Sequence, residues 1–542
     1  MRTLTVLSKF RILIHFRSTV NLFDSSGMHP LRPLPFLLLV MAAACRPDAR
    51  AGRTLTYYET YDPRSLDPAF STDVPTGEMV TLVYDGLTQF DPRGEVRPGL
   101  ADRWTPSPDG RRFVFHLRPG VRFHDGRPVG AADVRASLLR VLDPATRGGR
   151  AWPLLPIRGA DGFAAGTAPD VAGIALLGDT AIAFELVEPL AVFPKFLAMP
   201  VTAIVPVPAP PDLDTRPVGT GAWRFVAWRH DDFLSFVRNP DYWGGAPASE
   251  SLTVRIIPED LTRAAEFEAG RLSVAEIPFG ETERWERDES VRLVRSPALR
   301  VVYVALNTRR GPLRDPRVRR ALNHAVDVRG ILATLVKGRG VRARGAIPPS
   351  LAGGDTTRPA YDHDPDAARR LLAAAGYGDG LSLRLWRNST NALFAQVTQA
   401  IQADLARAGV QVEIVVRDAS AQREAARKGE ADMAILDWWA DYPDGDNFLF
   451  PLFHSGSAGP GGNYAFYADA GVDSLLLAAR RTTDDAARTA LYRAIDERVH
   501  GDAPWIYLWF PVDLWAVQPG IEGWELPVIF SGQRWTGVRR AP

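Results

Sequence analysis

The densest group of side chains that could do chemistry lies in residues 436–446, where four aspartates stand among aromatic residues and before Pro and Gly. Carboxylates beside aromatic rings serve as the acid and base of glycoside hydrolysis, or as a fixed negative charge that binds a cationic group. Aspartates in a Pro/Gly-rich stretch also simply form turns. The residue types alone leave hydrolysis, cation binding and turn formation open.

Other catalytic signatures are weak in this sequence. It has neither a Gly-x-Ser-x-Gly elbow in a strand-turn-helix setting nor a His-Glu-x-x-His run. His116, His124 and Asp125 lie near one another, but their segment is typical of a hairpin and offers no third ligand at metal-like spacing. We therefore predict no catalytic residue, no cofactor and no metal, and keep a secreted hydrolase only as the competing class.

Charge and length narrow the partners and the architecture. The chain has 64 Lys and Arg against 63 Asp and Glu, a formal net charge of +1, which offers no field to gather nucleic acid or anionic lipid. Its 542 residues exceed what one hydrophobic core usually organises, so two or more lobes are expected.

The N-terminal segment predicts export and anchoring. The apolar run 34–44 ends in small residues followed by Cys45, and it is well short of the roughly 20 residues that span a bilayer. Cys45 is the only cysteine, so no intramolecular disulfide can form, and its position predicts lipidation. The segment resembles a bacterial lipobox, although Ala42 stands where Leu is more frequent, which keeps cleavage without lipidation as an alternative. Met28 is the predicted translation start.

The first half of the chain mixes strands and helices between Pro/Gly-rich turns. Alternating apolar residues predict strands, and apolar residues at helical spacing predict helices over 79–87 and 131–141. We read several glycines of this half as residues of turns or close backbone contacts rather than of a ligand site: Gly110, Gly120, Gly126, Gly219 and Gly221. The predicted strands are 54–58, 112–117, 181–186, 223–228, 233–237 and 252–257.

The second half alternates strands with helices. Strands are predicted at 301–306, 381–386, 410–416 and 433–438, with helices at 318–336 and 361–375 and a helical face at Val397, Ile401 and Leu405. This βαβ pattern predicts an α/β lobe with a partly parallel sheet, and the apolar run 505–514 can lead the chain back to the first lobe. Residues 436–446 then lie at a strand end, where α/β lobes facing a cleft place ligand groups.

Short motifs rich in Gly, Pro and aromatic residues are spread over nearly all of the chain after residue 64. In their order they resemble the extracytoplasmic solute-binding proteins of family 5, which serve oligopeptide and dipeptide ABC importers. The motifs that carry the resemblance are Ser65-Leu66-Asp67-Pro68, Tyr84-Asp85-Gly86-Leu87, Pro98-Gly99-Leu100-Ala101, Asp109-Gly110, the run 115–126, Val218-Gly219-Thr220-Gly221, Arg238-Asn239-Pro240-Asp241-Tyr242-Trp243, Leu306-Asn307-Thr308, Asp315-Pro316-Arg317-Val318-Arg319, Ala373-Ala374-Ala375-Gly376-Tyr377 and Trp439-Ala440-Asp441-Tyr442-Pro443-Asp444.

The resemblance implies an α/β, two-lobed periplasmic-binding-protein-like fold of type II, with an inter-lobe cleft and an extra subdomain in the first lobe. It implies a non-enzymatic receptor that closes about a hinge on a solute and meets an ABC permease with its ATPase. A monomer in the periplasm or cell envelope is expected, anchored to the membrane through Cys45. The predicted bounds are 1–45 for the signal peptide, 46–53 for a tether, 54–76, 205–296 and 515–542 for lobe I, 77–204 for the subdomain and 297–514 for lobe II.

The resemblance also implies the site. It places Asp441 where an aspartate pairs with the α-ammonium group of a peptide, and it places Trp438 in the pocket wall. Trp439 and Tyr442 are predicted beside them, with Thr72 and Asp73 as first-lobe contacts. Ile435 departs from the basic residue of oligopeptide binders, so carboxylate recognition does not carry over there.

Alternatives to a peptide ligand remain open at this level. A sugar, an opine or a metallophore fits the same family, and the neighbouring tryptophans Trp438 and Trp439 offer faces on which a sugar could stack. Asp441 as the cap of a turn, and a sensor role without a transporter, also remain.

Overall fold

The computed structural model describes residues 54–541, so the predicted signal peptide, Cys45 and the tether 46–53 lie outside the described residues. Residues 54–541 fall within one compact unit. No helix in this part of the chain is long and apolar enough to cross a membrane.

Strands and helices follow the sequence periods closely. As far as residue 204 they are β1 (Thr54–Glu59), α1 (Val74–Val83), β2 (Thr88–Phe90), β3 (Val96–Pro98), β4 (Ala101–Pro106), β5 (Arg112–Leu117), α2 (Ala131–Leu142), α3 (Ala160–Ala164), β6 (Ile174–Leu176), β7 (Ala181–Glu185) and α4 (Phe193–Phe196). From there to residue 297 they are β8 (Trp223–Arg229), β9 (Phe233–Arg238), β10 (Ser251–Ile256), α5 (Asp260–Glu268), β11 (Val274–Glu276), α6 (Thr282–Trp285) and β12 (Arg292–Pro297).

The remaining elements alternate as the second half predicts. They are β13 (Arg300–Leu306), α7 (Pro316–Ala325), α8 (Val328–Ile331), a π-helical turn (Leu332–Val336), β14 (Gly340–Arg342), α9 (Pro365–Ala374), β15 (Leu381–Asn388), α10 (Ala392–Arg407), β16 (Val410–Arg417), α11 (Ala419–Lys428), β17 (Met433–Trp439), α12 (Asp446–Phe453), α13 (Ala470–Arg481), α14 (Asp485–Asp502), β18 (Trp505–Val517), β19 (Ile521–Glu522) and β20 (Arg539–Arg540).

The first-lobe sheet joins the start of the described chain to a distant hairpin. Its order is β1-β10-β9-β8, with β1 parallel to β10 and Leu55 opposite Leu252. Alternate residues of these strands are buried with helix α1 in one apolar core. Helix α1 begins earlier than the predicted 79–87, because the Asp73 side chain caps it by accepting a hydrogen bond from the Thr76 N–H, with Pro75 in the first turn.

The segment predicted as an extra subdomain has its own sheet and core. Strands β4-β5-β7-β6 form an antiparallel sheet in which β4 and β5 make a hairpin, with Trp104 opposite Phe115. Helix α2 contributes Val134 and Leu138 to a core shared with the aromatic side chains of this sheet. Gly110 sits in the connecting turn at a φ of +67°, which only glycine adopts without strain.

The second-lobe sheet combines both strand directions. Strands β15 and β16 are parallel and joined by helix α10, and β15 is also parallel to β17, which confirms the partly parallel sheet. Strand β13 runs antiparallel to β17. The apolar faces of α7 and α10 bury Leu322, Val397 and Ile401 against this sheet.

Strand β18 links the two regions. Its first part pairs with β13 and β14, and its last residues pair with β11 and β12, so the predicted return of the chain to the first lobe is a single strand of 13 residues. The predicted lobe bounds stay predictions, since one of them falls inside this strand.

Several of the family motifs meet at one buried carboxylate. Asp85 is 0% exposed and accepts hydrogen bonds from Thr220 Oγ1 at 2.9 Å, Tyr242 Oη at 3.2 Å, Trp243 Nε1 at 3.0 Å and Arg534 Nη1 at 2.9 Å. The donors come from three stretches of chain, at Thr220, at Tyr242-Trp243 and at Arg534, so Asp85 fastens these three to its own segment. These motif residues therefore shape the scaffold.

Gly219, which precedes Thr220, packs closely against the end of α1. A Cβ added at Gly219 would lie 2.1 Å from the Val83 carbonyl oxygen at the end of α1. No side chain fits there, so the interpretation of this motif as a close backbone contact is confirmed.

Candidate functional site

The loop that carries the candidate carboxylate is pinned by one amide side chain. Strand β17 ends at Trp439 and helix α12 begins at Asp446. Between them, the Asn447 Oδ1 atom accepts hydrogen bonds from the Asp441 N–H at 3.0 Å and from Trp438 Nε1 at 3.2 Å. Asn447 is buried, so the scaffold fixes the backbone of Asp441 at this point.

The Asp441 carboxylate meets residues that are far away in sequence. Arg150 Nη1 lies 3.2 Å from Asp441 Oδ1, and Arg150 Nη2 donates to the Thr72 carbonyl oxygen at 3.3 Å. Burial raises the pKa of Asp441, while Arg150 and the hydrogen bond with Asn447 oppose that rise. The structure thus brings Asp441 and Thr72 together through a guanidinium that the sequence did not single out.

Asp73, the other predicted first-lobe residue, has a structural role. Its Oδ1 atom caps helix α1, and its Oδ2 atom lies 3.6 Å from Arg64 Nε. It follows Thr72 directly in the chain, so it stands next to the Arg150 contact, but one of its two carboxylate oxygens is already committed to the helix start.

The two tryptophans face opposite sides of strand β17, as neighbouring strand residues do. Trp438 is half-buried beside Gly462 and donates to Asn447. Trp439 is 49% exposed, donates to Asp437 Oδ2 at 2.9 Å and stacks under Arg300, whose guanidinium carbon lies 4.3 Å from the ring centroid. The structure therefore does not bring them together into one wall.

Tyr442 is packed away from solvent. It is 1% exposed in the core of the predicted subdomain, where its ring centroid lies 5.0 Å from that of Phe196. Its hydroxyl donates to Asp446 Oδ2 at 2.5 Å. The side chain joins the loop of the second lobe to the subdomain, and no part of it is presented to a ligand in this conformation.

Two of the aspartates that favoured a hydrolase, Asp444 and Asp446, are engaged in a buried ionic network. Arg480 binds both carboxylate oxygens of Asp446 at 2.8 Å. Asp444 accepts from Lys195 Nζ at 2.7 Å and from Tyr492 Oη at 2.7 Å; burial works against its ionised form, but the Lys195 and Arg488 charges hold its pKa below the usual value. Such carboxylates stabilise the loop and are unsuited to exchange protons with a substrate.

Ile435 lies on the inner face of β17. It is 0% exposed in the second-lobe core, so in this protein the position does not face the candidate site. Ile435, which stands in place of the basic residue of oligopeptide binders, is therefore a core residue in this protein.

A separate cavity of about 240 Å³ lies at one end of the second-lobe sheet, lined by residues that include Arg310, Leu383 and Asp432. None of the predicted site residues lines it. Asp432 there is ion-paired with Arg310 at 2.7 Å. Within residues 54–541, no group of His, Cys, Asp and Glu side chains is arranged to hold a metal ion.

Sequence reasoning missed Arg150 and Asn447. Arg150 is separated from Asp441 by 291 positions, and nothing in its Gly-rich segment indicates which carboxylate it meets. Asn447 lies just beyond the block of aspartates, and its role becomes visible only once the loop is folded.

Two α/β regions crossed by one long strand are the architecture of two-lobed type II periplasmic binding proteins. A solved structure of this class, the ABC transporter-associated periplasmic binding protein DppA from Helicobacter pylori in complex with peptide STSA, matches with a TM-score of 0.77 and 30% identity, over 90% of this chain and 98% of that one. Residues 95–460 match the family model described as bacterial extracellular solute-binding proteins, family 5 Middle, and the chain belongs to this family.

Curated relatives agree with this assignment. The probable di/tripeptide-binding protein 5 of Pseudomonas aeruginosa (strain UCBPP-PA14) is 30% identical over 515 residues, covering 91% of this chain and 95% of the relative. The glutathione-binding protein GsiB of Escherichia coli (strain K12) is 31% identical over 457 residues, covering 82% and 86%. The protein is thus an extracytoplasmic solute-binding component of an ABC importer and not an enzyme, as the motifs predicted.

Proposed function

We propose that the protein captures short peptides, or solutes with a peptide-like amine, beside Asp441 and delivers them to an inner-membrane permease and its ATPase. The observation that carries this proposal is the Asp441 carboxylate just after the end of β17, where Asn447 accepts from the Asp441 N–H and Arg150 of the predicted subdomain meets the carboxylate. The relatives named for di/tripeptides and for glutathione support the ligand class.

The physical reason lies in the cost of withdrawing most of the Asp441 carboxylate, which is 23% exposed, from water. Burial raises the pKa of Asp441 because the ionised form loses hydration. A ligand ammonium group in contact with it restores that interaction as a charge-assisted hydrogen bond. Trp438, Trp439, Tyr442, Thr72 and Asp73 stay the predicted neighbours, and among these Thr72 is linked to Asp441 through Arg150.

The test is isothermal titration calorimetry on protein stripped of endogenous ligand by unfolding and refolding. Asp441→Asn should weaken the binding of di- and tripeptides by about 2–5 kcal/mol, since an ammonium group then loses its buried partner. Asp366→Asn, at an exposed position on α9 whose ion pair is with Arg369, is the matched control and should leave affinity unchanged.

An opposite outcome is specific. If no peptide binds while a sugar, an opine or a metallophore does, the peptide assignment is wrong, and the family's other ligand classes replace it. Equal peptide affinity in the wild type and Asp441→Asn refutes the role of Asp441.

We also propose that the mature protein is exported by the signal peptide 1–45 and anchored by a lipid on Cys45. A single cysteine preceded by small residues supports this placement. Intact-mass analysis of the membrane-extracted protein should show an N-terminal Cys45 carrying acyl chains, whereas an unmodified residue upstream of Cys45 contradicts the anchor.

A further inference from the structure

We propose that Arg150 and Asp441 together form a two-charge site for a ligand end that carries an ammonium and a carboxylate on the same carbon atom, as a γ-linked glutamyl residue does. This inference rests on the proposed function and narrows its ligand class. The juxtaposition that carries it is the ion pair at 3.2 Å, whose side chains are 24% and 23% exposed.

The charges of Arg150 and Asp441 decide which ligand end can bind between them. Asp441 and Arg150 neutralise each other, and the pair is mostly withdrawn from water. A lone ammonium at Asp441 would either displace the guanidinium or leave one positive charge uncompensated in a poorly solvated place. A zwitterionic ligand end avoids both the displacement of Arg150 and the uncompensated charge. Its ammonium group pairs with Asp441 while its carboxylate pairs with Arg150.

The backbone on both sides of Arg150 is packed. A Cβ added at the nearby Gly148 would lie 2.2 Å from the Ala69 carbonyl oxygen, so this loop packs tightly on the segment before Thr72. The following residues, Ala151 and Trp152, pack against the subdomain core. The base of the Arg150 side chain is therefore held beside the site, and its guanidinium is positioned by Asp441 and the Thr72 carbonyl oxygen.

The guanidinium also keeps donors for a ligand. Its hydrogen bonds go to Asp441 Oδ1 and the Thr72 carbonyl oxygen, and a guanidinium has further N–H groups in a planar fork that matches a carboxylate. The Thr72 carbonyl and Asp441 are in turn both acceptors for an ammonium group. Donors for the carboxylate and acceptors for the ammonium thus lie side by side.

Ordinary peptides do not offer this pattern. In an α-linked dipeptide the carboxylate lies one residue beyond the ammonium-bearing carbon, farther away by about 3.3–3.6 Å of extended chain. A γ-linked glutamyl residue places both charges on one carbon, so it can satisfy both partners at once. We expect the site to discriminate between these isomers, which have the same composition and net charge.

The experiment compares γ-Glu-Ala with its α-linked isomer Glu-Ala by calorimetry on the ligand-stripped protein. The wild type should bind the γ isomer at least about tenfold more tightly, the effect of about 1.4 kcal/mol from one charge-assisted contact. Arg150→Gln should abolish this preference by losing γ-isomer affinity, and Arg150→Lys should retain part of it. Arg158→Gln, an exposed arginine of the same subdomain paired with Glu185, should keep the full preference.

The results that would contradict the two-charge site differ from those that would contradict the proposed function. If the α isomer binds as tightly as the γ isomer, or if Arg150→Gln keeps the preference while its thermal unfolding matches the wild type, this inference is wrong and peptide binding stands. If neither isomer and no other di- or tripeptide binds, the proposed function itself is refuted, and this inference with it.

Discussion

The sequence predicts Asp441 as a candidate site residue, but it does not predict which residues surround Asp441. Its motif and its place at a strand end could be read from the sequence, because both are local. Arg150 could not, because a contact across 291 positions is decided by how the lobes and the subdomain pack. The orientations of Trp439 and Tyr442 could not be predicted for the same reason, because strand alternation and subdomain packing decide which way they face.

A second carboxylate cluster in the first lobe makes stability depend on pH. Burial raises the pKa of Glu78 to about 7 from 4.5, with hydrogen bonds to Glu59 and Tyr57 opposing the shift. The pKa of Glu59 is also raised, chiefly by burial and then by the Glu78 charge, with Asp73 adding to it. Between pH 4.5 and about pH 7, Glu78 is protonated in the folded protein and ionised in the unfolded chain. The free energy of unfolding therefore falls as pH rises through this range.

Glu78→Gln, which resembles the protonated side chain, should flatten this dependence. We expect the wild type to lose about 1–3 kcal/mol of unfolding free energy between about pH 5 and about pH 8 at this site, and the variant to be the more stable protein at the higher pH. Urea unfolding followed by tryptophan fluorescence measures both. The exposed Glu424→Gln serves as control; a variant with the wild-type slope contradicts the account.

Elements were foreseen where the apolar period is long. The strands 112–117 and 381–386 agree with the structure. The predicted helix 361–375 begins at Pro365, where the Asp364 side chain caps it. The predicted helix 318–336 is instead divided at Asp327, whose side chain accepts from the Gly330 N–H and starts a new helix. Periodicity finds a helix face, but the side-chain caps that cut it depend on local geometry.

Asp85 tests the claim that the family motifs build a scaffold. Asp85→Ala leaves the Arg534 guanidinium and the donors of Tyr242 and Trp243 without their shared acceptor. We expect it to lower the free energy of unfolding by about 3–5 kcal/mol, as breaking a buried charged pair does. Chemical denaturation measures the loss.

The control for this change is Asp102→Asn, because Asp102 pairs at the surface with the adjacent Arg103. That variant should change stability by less than about 0.5 kcal/mol. A similarly small loss for Asp85→Ala would mean that the loops are held by apolar packing and that the carboxylate is incidental.

At the scale of the whole molecule, several contacts join the segment predicted as the subdomain to the segment predicted as lobe II. Lys195 Nζ donates to the Pro443 carbonyl at 2.6 Å and to Asp444 Oδ2 at 2.7 Å, and Tyr442 packs into the subdomain core. The predicted bounds, with the subdomain at 77–204 and lobe II at 297–514, place these groups on opposite sides of the cleft. We propose that they stabilise the closed arrangement.

Lys195→Ala should therefore favour a more open ligand-free protein. Small-angle scattering should show a larger radius of gyration than in the wild type, and saturating ligand should restore the compact value, because ligand contacts add to those that remain. Lys428→Ala, at an exposed position on α11, should scatter like the wild type. Identical radii for Lys195→Ala and the wild type contradict this role.

We expect a bound peptide to lie between the two lobes with its ammonium group at Asp441. A crystal structure of the mature protein with a bound dipeptide tests it most directly. We predict the ligand's α-ammonium nitrogen at about 2.7–3.2 Å from an Asp441 carboxylate oxygen, with the peptide between the two lobes. A dipeptide bound elsewhere, or in the cleft with its ammonium group away from Asp441, would contradict the account.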